Sequence, residues 1–113
     1  MFNQVTMVGR LTRDATSSQL RNPQKTPVVR ATLVVDRDYD VIDADTPVDY
    51  WPIEIVGADG ERLAPHLQKG RLVLVNGSVH VDRRDTAGAT RVIPYVRVRQ
   101  LRFLDRPRTD IAE

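Results

Sequence analysis

Alternating apolar and polar residues predict extended strands along most of this chain. In the clearest run, residues 28–39, Val29, Ala31, Leu33 and Val35 share one parity. A period of two places successive side chains on opposite faces of a strand, so this parity is predicted to face a core. The same pattern predicts four further strands, at residues 3–10, 49–57, 71–81 and 91–103.

The other predicted strands are arranged around the stretch at residues 49–57. Trp51, Ile53 and Ile55 share one parity and suit a core, whereas the other parity carries Tyr50 together with a proline and a glutamate. We therefore expect one buried face and one face on which a flat aromatic ring is accessible to a ligand.

Glycine and proline mark the predicted irregularities. A bulge is predicted at Gly9 and a kink at Gly77. Pro94 is predicted to lie where the last strand is at an edge of the sheet, because proline donates no ladder hydrogen bond. Pro65 is tolerated only in a first helical turn, so one or two turns are expected to start near residues 62–64. Loops are predicted at residues 21–27 and 40–47, and a hairpin tip within residues 82–90.

Five strands with one short helix between the third and the fourth follow the order of an OB-fold, a five-stranded Greek-key barrel. A chain of 113 residues has the size of one ordinary domain. The sequence therefore predicts an all-β OB-fold domain at residues 1–104, followed by a short polar tail at residues 105–113.

The net charge of +2 conceals an uneven distribution. Residues 36–49 contain six aspartates and one arginine, which leaves a balance of +7 on the rest of the chain. Of the 17 basic residues, 15 are arginine, whose fork pairs with phosphate and whose plane stacks on rings. This bias indicates either a phosphate-bearing partner or a genomic preference for arginine codons.

Eight basic side chains are candidates for contacts with phosphate, although each one taken alone also fits a solvated surface position. Their combined action predicts binding that weakens steeply with salt, because each neutralised phosphate releases counterions. A basic face in the last strand, Tyr95 with Arg91, Arg97 and Arg99, is assigned to solvent rather than to a ligand track. The eight candidates are Arg10, Arg13, Arg30, Arg37, Lys69, Arg71, Arg83 and Arg84.

The aspartates also suggest a metal site, but the pattern is incomplete. Asp36, Asp38 and Asp40 have the spacing of the first calcium ligands of an EF-hand, yet Val41 stands at the turn glycine and Pro47 at the closing glutamate. We therefore expect a solvated acidic loop, with a small metal-dependent nuclease as the minor alternative. The sequence contains no motif that pairs a nucleophile with a base, so no enzyme activity and no cofactor are predicted.

Three segments resemble bacterial single-stranded DNA-binding proteins: Val5 to Asp14, Val29 to Val35 with Tyr39 after it, and Tyr50 to Gly77. The resemblance spans roughly residues 3–104 and implies an OB-fold, a homo-oligomer (usually a tetramer, with a dimer possible) and sequence-tolerant binding of single-stranded DNA in replication, recombination or plasmid and phage DNA transfer. The absence of cysteine, of a signal-peptide pattern and of a long apolar run leads us to expect a cytoplasmic protein without membrane contact.

The resemblance also assigns aromatic rings to base stacking. Tyr39 and Tyr50 fill two of the family's stacking positions, whereas Val56 and Arg84 replace aromatics at two others. Trp51 has the apolar parity and is expected in the core or in a subunit contact. The two replacements predict weaker binding per subunit, since one stacked base contributes about 1–3 kcal/mol.

Two further departures from the family concern the loop after Tyr39 and the C-terminal residues. The acidic loop at residues 40–47 repels phosphate, and residues 108–113 lack the acidic, aromatic-containing tip that recruits repair enzymes in relatives, so no such recruitment is expected. The acidic loop and the replacements Val56 and Arg84 also point to an alternative. This alternative is an assembly module of the primosome type, which uses the same barrel mainly to contact other proteins and binds DNA weakly.

Overall fold

The computed structural model describes residues 1–37 and 47–106. Within these ranges the chain forms six strands, one α-helix and one 3-10 turn. None of the described helices is long and apolar enough to cross a membrane. The elements are β1 (Val5–Leu11), β2 (Thr16–Gln19), β3 (Pro27–Asp36), β4 (Val48–Val56), α1 (Ala58–Leu63), the 3-10 turn (Ala64–His66), β5 (Leu72–Thr86) and β6 (Ala89–Phe103).

Five of these strands close into a ring. The strand order is β1-β5-β6-β4-β3, and β1 returns to β3 where Arg10 pairs with Val34 and Leu11 with Leu33. The pairs are antiparallel except for β4 with β6. This is the five-stranded barrel predicted from the sequence, with α1 between its third and fourth strands. The short β2 was not predicted, because its four residues are all exposed and show no alternation.

The core fills the inside of this ring. The predicted inward parity is correct in both central strands: Leu33 of β3 and Ile53 of β4 are buried, and Trp51 packs against the same cluster. Leu67, in the segment after the 3-10 turn, is also buried and joins the cluster. The buried apolar cluster comprises Leu11, Val29, Leu33, Ile53, Ile55, Leu67, Val73, Val75, Val96 and Val98.

Of the two predicted glycine irregularities, one is confirmed and one is wrong. The ladder shifts register at Asn76 and Gly77, so the kink predicted at Gly77 is a β-bulge. At Gly9 the register with β5 continues unbroken. Glycine is required there because a Cβ atom would lie 2.3 Å from the carbonyl oxygen of Val34, where β1 approaches β3 to close the barrel.

The helix begins earlier than predicted. α1 starts at Ala58 rather than near residue 62, after Gly57 at φ 103°. Pro65 therefore lies in the first positions of the following 3-10 turn and not inside the α-helix. The prediction erred because the proline was assigned to the first turn of a single helix, whereas the chain forms two short consecutive ones.

The predicted hairpin tip is confirmed, but the strands around it are longer than expected. β5 and β6 stay paired to Thr86 and Ala89. The two residues between them, Ala87 and Gly88, have φ values of 50° and 77°, the left-handed conformation of a two-residue hairpin turn. The outer part of this hairpin, residues 80–95, is called the arm below. Pro94 lies in the arm, and the pairing of β6 with β4 is confined to Val96 and Arg97.

The end of the barrel is held by a buried arginine. Arg71 Nε donates to Asp105 Oδ1 at 2.9 Å, and the guanidinium carbon lies 4.1 Å from the ring centre of Phe103. The backbone N–H of Leu72 donates to the other carboxylate oxygen of Asp105, and this bond, followed by the Arg71 pair, lowers the pKa of Asp105 below its usual range. Arg71 was predicted to contact phosphate, and its burial in this structural pair corrects that prediction.

Candidate nucleic-acid interface

An open groove of about 910 Å³ crosses the outer face of the sheet. Side chains from β3, β4 and β6 form its floor, the segment around β2 forms one wall, and the arm forms the other. The lining residues are Arg13, Thr16, Gln19, Leu20, Arg21, Arg30, Ala31, Thr32, Pro52, Ile53, Glu54, Asp82, Arg84, Ile93, Tyr95 and Arg97.

The groove is positively charged. Five arginines line it, against the two carboxylates of Glu54 and Asp82, which leaves a balance of +3 among the lining residues. Asp82 lies 3.2 Å from Arg84 Nε in an exposed pair. Across the arm, Arg84 stands directly opposite Arg91, and like charges in that position repel each other. An anion bound between them would relieve this repulsion.

Glu54 lies at the centre of the floor. Its neighbours in register are Arg30 on β3 and Arg97 on β6. Arg97 donates from Nε and Nη2 to Glu54 Oε2, at 2.9 and 2.6 Å. Arg30 Nε lies 3.6 Å from Oε1. The hydrogen bond to Glu54 is the main reason why the pKa of Arg97 is raised above its ordinary value.

Two tyrosines flank this floor on the same face of the sheet. Tyr50 is 65% exposed and lies two residues from Pro52, which lines the groove. Tyr95 is half-buried, and its ring centre is 5.7 Å from that of His80 at an angle of 31°. Tyr50 therefore presents an accessible ring, as its parity predicted, whereas Tyr95 is already packed against a neighbouring ring.

The structure brings together only some of the side chains that the sequence singled out. Arg13, Arg30 and Arg84 line the groove. Arg10 lies elsewhere on the barrel, where its Nη1 donates to the carbonyl of Gly70 beside Lys69.

Two further candidates, Arg83 and Arg37, also lie outside the groove. Arg83 has the opposite parity to Arg84 and faces the other side of the arm. Arg37 pairs with Asp49 at 2.9 Å beside a second cleft, which β1 helps to line. Tyr39 and most of the acidic loop at residues 40–47 lie outside the described residues.

Sequence reasoning missed Arg21, Tyr95 and Arg97 as groove residues. The alternation of Tyr95 and Arg97 in β6 was visible, but it fits a solvated sheet face equally well. Only the pairing of β6 with β4, which places Arg97 beside Glu54, puts these residues on the floor of the groove. Arg21 lies in a loop, where no periodicity indicates the direction of a side chain.

Comparisons with known proteins agree with this architecture. The model of the single-strand binding protein family matches residues 2–104. A single-stranded DNA-binding protein of Thermotoga maritima is 36% identical over 108 residues, which cover 93% of this chain and 75% of the relative. Single-stranded DNA-binding protein B of Bacillus subtilis is 32% identical over the full length of both chains.

A solved structure shares the fold. The SSB of Plasmodium falciparum in complex with ssDNA superimposes with a TM-score of 0.79 at 22% identity, over 93% of this chain and 96% of that one. The family match over nearly the whole described barrel, together with the two relatives, leads to one conclusion: the chain belongs to the single-strand binding protein family.

Proposed function

We propose that this protein binds and protects single-stranded DNA without catalysing a reaction on it. The observation that carries the proposal is the groove, in which five arginines line one face of a closed barrel next to the exposed ring of Tyr50. The names of the relatives point in the same direction. The family match also favours DNA binding over the assembly-module alternative.

The mechanism divides the strand between two kinds of contact. Guanidinium groups hold the phosphates, and their fork geometry suits two oxygens of one phosphate. Bases stack on Tyr50, on Tyr39 as the sequence suggests, and on the plane of Arg84, which extends from the arm. None of these contacts reads a base edge, so binding tolerates any sequence. A covered strand neither re-anneals nor reaches nucleases, which suits replication, recombination or transfer of plasmid and phage DNA.

Salt dependence is the direct test. For single strands, log K falls with log salt by about 0.7 per neutralised phosphate, so the five groove arginines set a limit of about −3.5 on the slope. We expect labelled oligo-dT to bind at low salt, and raising the salt tenfold to weaken binding by up to roughly 3,000-fold. Fluorescence anisotropy at several salt concentrations measures both quantities. Absence of binding at low salt would contradict the proposal and favour the assembly module.

Tyr50→Ala tests the stacking contact. Removing the exposed ring should weaken binding of oligo-dT by about 1–3 kcal/mol, which is roughly 5- to 150-fold, and should leave the salt slope unchanged. Tyr50→Phe is the matched control, because it keeps the ring and removes only the hydroxyl group. Equal affinities for the alanine and phenylalanine variants would show that Tyr50 stacks on no base.

We also propose that the protein assembles with further copies of itself. β1 pairs with β3 only at Arg10 and Leu11, so along Val5 to Gly9 its second edge has no strand partner within the described residues. Val8 on this segment is 44% exposed. An open edge beside an apolar side chain is suited to strand addition by a second subunit. Light scattering during gel filtration gives the number of 12.8 kDa chains in the particle.

A further inference from the structure

A carboxylate in the middle of a phosphate-binding surface requires an explanation. Glu54 shares its parity with Tyr50 and Pro52, so its side chain belongs to the groove face and not to the core. The residue as a whole is nevertheless only 8% exposed, because the side chains of Arg30 and Arg97 cover it. Its negative charge lies directly beneath two of the five arginines on which the proposed function depends.

The contacts with Arg97 occupy the part of the guanidinium that phosphate would use. A guanidinium offers two parallel N–H groups along its Nε and Nη2 edge, and this edge fits two oxygens of one anion. In this structure both groups donate to Glu54 Oε2. A phosphate must therefore displace Glu54 from this edge or bind through the remaining donors alone.

Exposure differs sharply between the partners. The side chains of Arg30 and Arg97 are 52% and 47% exposed, whereas that of Glu54 is 11% exposed. The two arginines are therefore accessible to a DNA strand from the solvent side, while Glu54 contacts them from the side of the sheet. Arg30 is held less firmly, because its Nε is 3.6 Å from Glu54 Oε1 and its Nη1 donates to Ser18 Oγ at 3.2 Å.

We infer that Glu54 is an internal competitor for the phosphate backbone, which lowers the affinity of the groove and speeds the release of bound strands. The inference rests on the proposed function. Bound phosphate and Glu54 share the same donors and repel each other across a short distance. A protein that must leave its strand when another enzyme needs it gains from such a competitor, because release becomes faster without loss of the positive groove.

Glu54→Gln tests this inference. Glutamine keeps the shape and an acceptor oxygen but removes the charge, so the variant should bind oligo-dT about fivefold more tightly near 0.1 M salt, the effect of one additional phosphate contact. The slope of log K against log salt should steepen by about 0.7, and stopped-flow dissociation should be slower. Equal or weaker binding would overturn the inference and would indicate instead that Glu54 orients the arginines for the strand.

The matched control is Glu61→Gln, which makes the same chemical change at an exposed position on α1, away from the groove. Its affinity should stay within about twofold of the unmodified protein, because Glu61 does not line the groove and exposed charges are screened by salt. An equal gain in both variants would reduce the effect to net charge and overturn the inference. The unmodified protein is titrated first. If it does not bind oligo-dT at all, the proposed function itself is contradicted, and this result is distinct from a failure of the inference about Glu54.

Repeating the Glu54→Gln substitution in a protein that already carries Arg97→Gln tests whether the gain in affinity depends on the contact between these two residues. With Arg97→Gln already present, the gain from Glu54→Gln should shrink, because the principal partner is missing. Thermal unfolding shows whether each variant is folded. If Glu54→Gln does not fold, Glu54→Asp is measured in its place; it withdraws the carboxylate by one methylene group and should also bind more tightly. Unchanged or weaker binding by this folded variant would likewise overturn the inference.

Discussion

Replacing Arg13, Arg21 and Arg84 together by glutamine should weaken binding of oligo-dT about a hundredfold near 0.1 M salt. These three arginines line the groove without contacting Glu54 in the structure, so their loss removes phosphate contacts and leaves the floor intact. Each lost contact should lower the salt slope by about 0.7, and three should lower it by about 2. Anisotropy titrations at a series of salt concentrations measure both quantities.

The matched control replaces Arg10, Lys69 and Arg83 by glutamine. All three were candidates from the sequence, and the net charge changes by the same amount, but in the structure they lie outside the groove. We expect this variant to retain most of its affinity and most of its salt slope. If the two triple variants lose affinity equally, the strand does not follow the groove and binding depends on overall charge.

Gly77→Ala should destabilise the barrel by roughly 3 kcal/mol. A Cβ atom at this position would lie 2.0 Å from the carbonyl oxygen of Arg97, and a backbone atom in the middle of a ladder has little freedom to move away. In a domain of this size, such a loss corresponds to a fall in Tm of roughly 10–20 °C. Thermal unfolding followed by circular dichroism at one fixed protein concentration measures it.

Gly88→Ala is the appropriate comparison for this variant. Gly88 also has a special conformation, at φ 77°, but a Cβ atom there would have no neighbour within 4 Å. Its replacement should cost only about 1 kcal/mol, the strain of a left-handed residue with a side chain. A loss at Gly77 no greater than that at Gly88 would show that the bulge can absorb a methyl group, contrary to the geometry.

The barrel was predictable from the sequence because its strands have one solvent-exposed face and one buried face. The alternation in residues 28–39 and 49–57 follows directly from burial of Leu33 and Ile53 on one side. The short β2 was not predictable, since Ser17, Ser18 and their neighbours are exposed and polar on both faces, and only pairing with β3 makes them a strand.

The groove was only partly predictable. The number of arginines in the sequence indicates a partner that carries phosphates. It does not indicate which of the arginines lie on the same surface. Arg71 and Arg30 look alike in sequence, yet one is buried against Asp105 and the other stands on the groove floor. The difference depends on which strands become neighbours, and single-strand periodicity contains no information about that.

The bulge opposite Gly77 changes which residues of the last strand face inward, from the even-numbered to the odd-numbered ones. Arg99 is the extra residue, since Asn76 pairs with Gln100 and Gly77 with Val98. Before it the even-numbered Val96 and Val98 point inward, and after it the odd-numbered Leu101 and Phe103 do.

Insertions and deletions are therefore not equivalent along β6. Loss of Arg99 alone would remove the bulge and leave Leu101 and Phe103 opposite Val75 and Val73, still facing inward, and extra residues at the Ala87–Gly88 tip would also leave the inward side chains in place. A single insertion or deletion in the regular ladder between these two places would instead turn inward side chains out to water. Natural length variation within this hairpin should accordingly collect at the tip and at the bulge and avoid the regular ladder between them.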